Sequence, residues 1–282
     1  SGLPFTYVRG APPAGSVTYW DDIPIPQLFH LALGPSTIHA RLLGDVRFHP
    51  GVAPARYGRS IGATVVGEPA PHGRGSSAEL ELRLVDLSAY VETEIDDTVV
   101  HASGRYGYPG PIVGALVPGL ELAWWDYQVG LHHRGGDGSR TRVMALGSYD
   151  ALDQRLATID PLSGDPRITL EFHRVDVRHT RLLAEGAEIA IGLRAGSDAS
   201  ALGGAVRVSL LTAAPRVAVT FRAGPLRMRA GGDVQVSSGR VESSAAPHPS
   251  IQGAVLSDGA FFHVGTRGAA SAWLESALVI PS

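Results

Sequence analysis

Residues 120–131 hold the densest group of side chains that could do chemistry. Strand alternation puts Leu122, Trp124, Asp126 and Gln128 on one face and Ala123, Trp125, Tyr127, Val129 and Leu131 on the other. Large aromatic residues on both faces imply cover on both sides, as in a barrel strand between a ligand cavity and an outer packing layer. Asp126 and Gln128 would fix the orientation of an apolar ligand, and Asp126 becomes a candidate general base if burial raises its carboxyl. With His132 they form the candidate catalytic set. Trp20 beside Asp21-Asp22, Tyr106 with Tyr108, and Trp273 with Glu275 are similar aromatic–acidic patches. Trp20, Tyr106, Tyr108, Trp124, Tyr127, His173 and Trp273 form the candidate substrate-binding set. The competing reading of 120–131 is a core strand whose polar residues lie at a frayed end.

Other motifs carry less. His132-His133 are neighbours, and neighbours in a strand face opposite ways, so they cannot share one ion. His173 and His179 would share a face, but a change of apolar phase near His173-Arg174 suggests a bulge that breaks the parity. No H-x-H or H-E-x-x-H occurs, and no metal site is expected. Gly58-Arg59-Ser60-Ile61-Gly62 matches G-x-S-x-G, yet the β-like Ala63 to Val66 and then Pro69 and Pro71 leave no room for the helix a nucleophile elbow needs. It reads as a turn entering a strand.

Composition narrows the classes. The 282 residues contain no Cys, which removes disulfides, thiolate metal sites and cysteine nucleophiles. All 24 basic residues are arginine, which removes Schiff-base chemistry and the phosphate-loop lysine. A net charge of -3 without a basic cluster argues against nucleic acid. No apolar run approaches the ~20 residues of a spanning helix, so no membrane span is expected and the location is read as cytoplasmic. Ser1-Gly2 resembles a cloning scar, which leaves room for a removed signal peptide.

The elements that must position the candidate residues are mostly strands. Gly 35 and Pro 20 leave little room for long helices. Leu80, Leu82 and Leu84 alternate with Glu79, Glu81 and Arg83, which reads as a half-buried strand with its leucines in a core. Ile168/Leu170/Phe172, Ile189/Ile191/Leu193, Val206/Val208/Leu210, Val217/Val219/Phe221, Leu226/Met228 and Val234/Val236 read as further short strands. Pro215, Gly231-Gly232-Asp233 and Ser238-Gly239 are among the expected turns between them. Leu152, Leu156 and Ile159 suggest one helix over Tyr149–Ile159, Ala269–Val279 suits a helix or a last strand, and Tyr106–Leu120 reads as a buried loop. His39–Leu43 and His179–Leu183 form a faint repeat. The expected fold is all-β, one barrel or two packed barrels over 1–147 and 148–282, with one or two short helices.

On Leu84-Val85-Asp86-Leu87 through Gly104 to Gly136-Asp137-Gly138, the chain resembles the β-rich accessory domain of some glucose–methanol–choline oxidoreductases. On Trp124-Trp125 and Trp273-Leu274-Glu275 it resembles the lipocalin-like two-barrel superfamily of carotenoid hydratases and cyclases. That resemblance implies an enclosed apolar cavity and a reaction governed by shape. The expected activity is a cofactor-free cyclisation or isomerisation of a hydrophobic polyene or polyketide, with a pericyclic cycloaddition as its sharp form. A ligand carrier, a hydratase and a carbohydrate-binding β-sandwich are the alternatives. The expected partner is a hydrophobic small molecule, and the oligomeric state is open, a homodimer included.

Overall fold

The computed structural model describes residues 8–9, 15–31, 34–58, 60–72, 75–108, 114–115, 119–154, 167–184, 186–203, 206–243 and 265–278. An N-terminal unit holds β1 (Val17–Trp20), β2 (Ile23–Ile25), β3 (Leu43–His49) and β4 (Thr64–Pro69) in a mixed sheet of order β2-β1-β4-β3. Ten strands then follow as one antiparallel meander in chain order. They are β5 (Ser77–Leu82), β6 (Asp86–Ile95), β7 (Thr98–Gly107), β8 (Leu120–Arg134), β9 (Arg140–Gln154), β10 (Arg167–Ala184), β11 (Ala187–Leu202), β12 (Val206–Ala223), β13 (Leu226–Ser243) and β14 (Gly265–Leu278). The protein is all-β, as its alternation and punctuation imply.

The large sheet is built inside out. One register row crosses all ten strands through Ala78, Val91, Ala102, Val129, Ala145, Val175, Ala195, Ala213, Val236 and Gly268, without a polar side chain. This face is open: Val91, Val129, Val175 and Val236 are all about half exposed. The opposite face carries Glu92, Arg105, Asp126, Gln128, Arg142, Asp150, Arg174, Asp176 and Arg194, all buried. A sheet packed in water does the reverse, turning its apolar face to a core. The expectation for β5 is therefore corrected. Leu80 and Leu82 are 74% and 78% exposed, and Glu79 and Glu81 turn toward the covered side.

The N-terminal unit covers the polar face. Its Trp20, Ile23, Ile25, Ile38 and Leu42 pack on Tyr90, Met144, Leu146 and Phe172 of the wall. Its polar contacts run from Glu79 on β5 to Glu275 on β14, so the wall curves round it from one side to the other. Between β1 and β2, Asp21 and Asp22 take φ of 47° and 64°, the two-residue hairpin geometry that aspartate tolerates.

Several expected element boundaries change. Tyr149–Gln154 is the end of β9 rather than a helix, while Leu156 and Ile159 lie outside the described residues. Ala269–Leu278 belongs to a strand, β14. Pro215 lies inside the 18-residue β12, and Gly231-Gly232-Asp233 and Ser238-Gly239 lie inside the 18-residue β13, not in turns. Gly231 serves packing there, since a Cβ would sit 2.5 Å from the Trp273 ring. No bulge occurs at His173-Arg174, where β10 keeps register with both neighbours. The phase changes because Phe172 faces inward and Val175 and Val177 face outward. The 147/148 boundary falls within β9, inside one continuous sheet. Of the Tyr106–Leu120 loop, 109–113 and 116–118 lie outside the described residues, as do Arg59 and Ser1-Gly2.

Candidate functional site: the polar lumen and its inserted hairpin

The inward row of β8 meets a loop of the N-terminal unit at one buried ionic centre. His30 Nε2 lies 2.9 Å from Asp126 Oδ2, and its Nδ1 lies 3.0 Å from both carboxylate oxygens of Asp150 on β9. Both acids have further partners. Arg105 on β7 donates to Asp126 at 2.8 Å, while Asp150 accepts from the Leu31 amide at 3.0 Å and from Gln27. The His30 ring stacks on Trp124 at 4.3 Å, and Trp124 packs with Leu31, Leu122 and Leu152. Trp124 fits because Gly107 lies beneath it; a Cβ there would come within 2.1 Å of the indole. Gln128 accepts from Ser103 at 2.7 Å and donates to the Thr37 carbonyl at 2.9 Å. Burial opposes a charge on His30, but its hydrogen bonds to Asp126 and Asp150 outweigh that and hold the imidazole above its ordinary pKa. When His30 carries its proton, an imidazolium and the Arg105 guanidinium face two carboxylates, which balances the buried charge. The arrangement is a dock: every polar atom that Asp126 and Gln128 offer goes to a neighbouring side chain or backbone group.

The second centre surrounds the β1–β2 hairpin tip. Asp21 pairs with Arg142 and with Arg178, the latter at 3.4 Å, and Asp22 with Arg178 at 3.4 Å, Arg56 at 3.7 Å and Arg229 at 3.9 Å. The Asp22 carbonyl accepts from Arg194 at 2.9 Å. Burial alone would raise the Asp22 carboxyl, but Arg178 and Arg229 hold it below the usual carboxylate range. Beside this cage lies a cavity of about 260 Å³ between the N-terminal unit and β10–β14, with Arg56, Arg178, Arg194, Arg216, Arg229 and Trp273 in its walls. Arg229 stands 5.4 Å over the Trp273 ring. Arginine forks beside an indole suit a small, planar or carboxylated anion.

The candidate residues scatter over these features. Asp126, Gln128 and Trp124 share the first centre, and Trp273 lines the arginine cavity. Trp20 lies in the packing between the N-terminal unit and the wall. His132 is on the inward face too, but six residues up β8 from Asp126, ~20 Å along the strand. Tyr106 and Tyr127 face outward: Tyr106 is 58% exposed, and Tyr127 bonds His173, also outward, at 3.1 Å. Tyr108 follows the end of β7 and donates to the Arg83 carbonyl at 2.5 Å. Trp124 and Tyr127 stand on opposite faces, as the alternation implies, so they do not line one substrate wall. Sequence reasoning passed over His30, Asp150, Arg105 and the cage arginines. Arg174-x-Asp176-x-Arg178, with Val175 and Val177 between, carried the usable signal, a charged face alternating with an apolar one.

No protein-family model and no curated protein matches the chain. Solved structures do match in fold. The FrpB iron transporter from Neisseria meningitidis aligns with a TM-score of 0.61 at 10% identity, covering 95% of this chain and 49% of that one. The copper transporter OprC gives 0.61 at 11%, covering 94% and 44%. The pyoverdine outer membrane receptor FpvA from Pseudomonas aeruginosa PAO1 gives 0.59 at 10%, covering 86% and 42%. The chain thus spans less than half the length of these proteins. The neighbours and the exposed apolar face overturn the lipocalin-like resemblance, the cyclase reading, the cytoplasmic location and the absence of a membrane partner. In fold, the chain is similar to the barrels of outer-membrane receptors and metal transporters.

Proposed function

We propose that this chain forms part of an outer-membrane uptake receptor, in which β5–β14 stand in the bilayer and the N-terminal unit fills the lumen. The apolar register row across all ten strands, backed by a charged inner face, carries the reading. A transmembrane strand wall needs that pattern, because lipid accepts no polar side chain and the lumen is wet. Tyr106, Trp125 and Tyr149 pair side by side on the outer face, and ring rows of this kind settle at the membrane–water boundary. On β10 the outer residues pass from Val177 and Val175 to His173 and Glu171 near that row, which marks where the apolar band ends. No helix among the described residues is long and apolar enough to cross a membrane, and a strand wall needs none.

The neighbours are described as carriers of iron, copper or pyoverdine, so a metal ion or its small chelate is the cargo class proposed here, with the arginine cavity as its anion-selective contact. The test is fractionation of cells that express the chain. The protein should sediment with outer membranes, resist urea and alkaline carbonate, and stay in solution only in detergent. Recovery as a soluble species that needs no detergent would overturn the reading. For the cavity, a tricarboxylate such as citrate should bind the purified protein, and Arg216→Gln should weaken binding about tenfold or more, the loss of one charge-assisted contact.

A further inference from the structure

A separate cluster lies up the wall from the ionic centre. His101 on β7 pairs across the ladder with Gly130, and His132 on β8 with Val99, which turns both imidazoles to the inner face. His72, in the segment between β4 and β5, closes over them. Its ring centroid lies 3.9 Å from that of His132 and 4.9 Å from that of His101. One ring nitrogen from each of the three lies within 4.8 Å of the others. Gly130 makes the space, since a Cβ there would meet His101 Cε1 at 2.2 Å and Met144 Sδ at 2.4 Å.

The hydrogen bonding of this cluster is incomplete. His101 is 1% exposed, and both its ring nitrogens and the Nε2 of His132 are buried without a partner among the described residues. Folded proteins seldom leave three such atoms together unless something else binds them. His72 Nδ1 is already taken by Glu92 Oε2 at 2.9 Å, and Glu92 is itself steadied by Tyr90 Oη at 2.9 Å. That leaves His72 Nε2 as its ligating atom. A carboxylate on the far nitrogen of an imidazole is the arrangement that orients histidine ligands around metals.

We propose that His72, His101 and His132, oriented by Glu92, bind a divalent transition metal of the Zn²⁺ class. The filled site ties the segment leaving the N-terminal unit to the wall at β7–β8. Three imidazole ligands without a thiolate suit Zn²⁺ or Cu²⁺ rather than Mg²⁺ or Ca²⁺, which take oxygen ligands. Zn–N bonds of about 2.0–2.1 Å require the three rings to draw together by less than ~1 Å each, within reach of side-chain rotation. A fourth position remains for water. The site stands on its own geometry and does not depend on the bilayer placement of the wall.

The test uses the purified full chain in detergent, stripped with EDTA and titrated with Zn²⁺ against a chromophoric chelator. One Zn²⁺ should bind per chain. His72→Gln, His101→Gln and His132→Gln should each weaken it at least 100-fold, and Glu92→Gln about 10–100-fold. His133→Gln, outward on the same strand, should leave it unchanged. His72 lies outside the wall strands, so His72→Gln is the variant least exposed to a folding defect, and strand content by circular dichroism checks the other two. Co²⁺ supplies a second readout on the unmodified protein, with the visible absorption of a tetrahedral nitrogen site. No stoichiometric Zn²⁺, or binding that survives His72→Gln and His101→Gln, would overturn the site. Either result is separate from the fractionation outcome, which tests the membrane reading alone.

Discussion

The sharpest single-residue consequence concerns His30. Burial works against its charge, yet Asp126 and Asp150 raise its pKa above the ordinary histidine value. A raised folded-state pKa contributes stability that is complete below the unfolded value, about 6.5, and is lost as pH climbs through the folded value. The inserted unit should therefore hold the wall most firmly in mild acid and loosen on the alkaline side. Because His30 stacks on Trp124, its deprotonation should change the tryptophan emission. A fluorescence titration should show a midpoint above 6.5 that disappears in Trp124→Phe; a midpoint at or below 6.5 would show that the carboxylates do not govern His30. Asp150→Asn should cost roughly 3–5 kcal/mol of unfolding free energy, because it leaves buried cationic charge partly unpaired. Alternation alone marked Asp126 and Gln128 as inward and important. His30, which joins Asp126 to Asp150, lies 96 residues from the first and 120 from the second. No local pattern reports pairing at that range, so the sequence shows Asp126 and Gln128 without the histidine that joins Asp126 to Asp150.

Period 2 along a strand tells which residues share a face, but not which face meets water. For β5 the usual assumption put Leu80 and Leu82 in a core, and the fold reverses it. The same assumption turned the register-perfect β10 into a bulged strand, since Phe172 and Val175 were both expected to point inward. What does separate the two cases is the company each face keeps. Arg174, Asp176 and Arg178 alternate with Val175 and Val177, and no soluble sheet buries three consecutive inward charges against solvent-facing valines without cost. Strand length misled as well, because Pro215 and Gly231-Gly232 read as turns in sequence. In the fold, Pro215 sits on the outward face where the β12–β13 pairing skips from Ala213 to Arg216. A wall in lipid predicts a depth profile. Val175→Arg, in the all-apolar row, should destabilise by about 2–4 kcal/mol in vesicles, and His179→Arg, four residues further along β10 and past Val177, by about 0–1 kcal/mol. Equal, small effects at both positions in denaturant titrations would mean that the outer face is not in lipid.

Taken as a whole molecule, the protein balances two kinds of adhesion between its inserted unit and its wall. Trp20, Ile23, Ile25 and Leu42 supply apolar packing on Met144, Leu146 and Phe172, while the hairpin tip supplies charge to the arginine cage. The uptake route proposed above would require the charged part to yield, because packed apolar surface does not respond to a small solute. Asp22 is the point where this is testable. It faces Arg56, Arg178 and Arg229, and those guanidiniums also face the cavity. Asp22→Asn therefore has two opposite effects. It leaves partly buried arginines short of a counter-charge, which should cost the docked unit about 1–2 kcal/mol. It also makes the cavity more positive, so an anion there gains affinity and can replace the lost carboxylate. Hydrogen exchange should show reduced protection of the β1 and β2 amides in the variant, with citrate restoring protection in the variant more than in the parent. If the amides of Val17–Trp20 and Ile23–Ile25 keep full protection in Asp22→Asn without any anion, the apolar packing alone holds the unit, and solute charge cannot be what releases it.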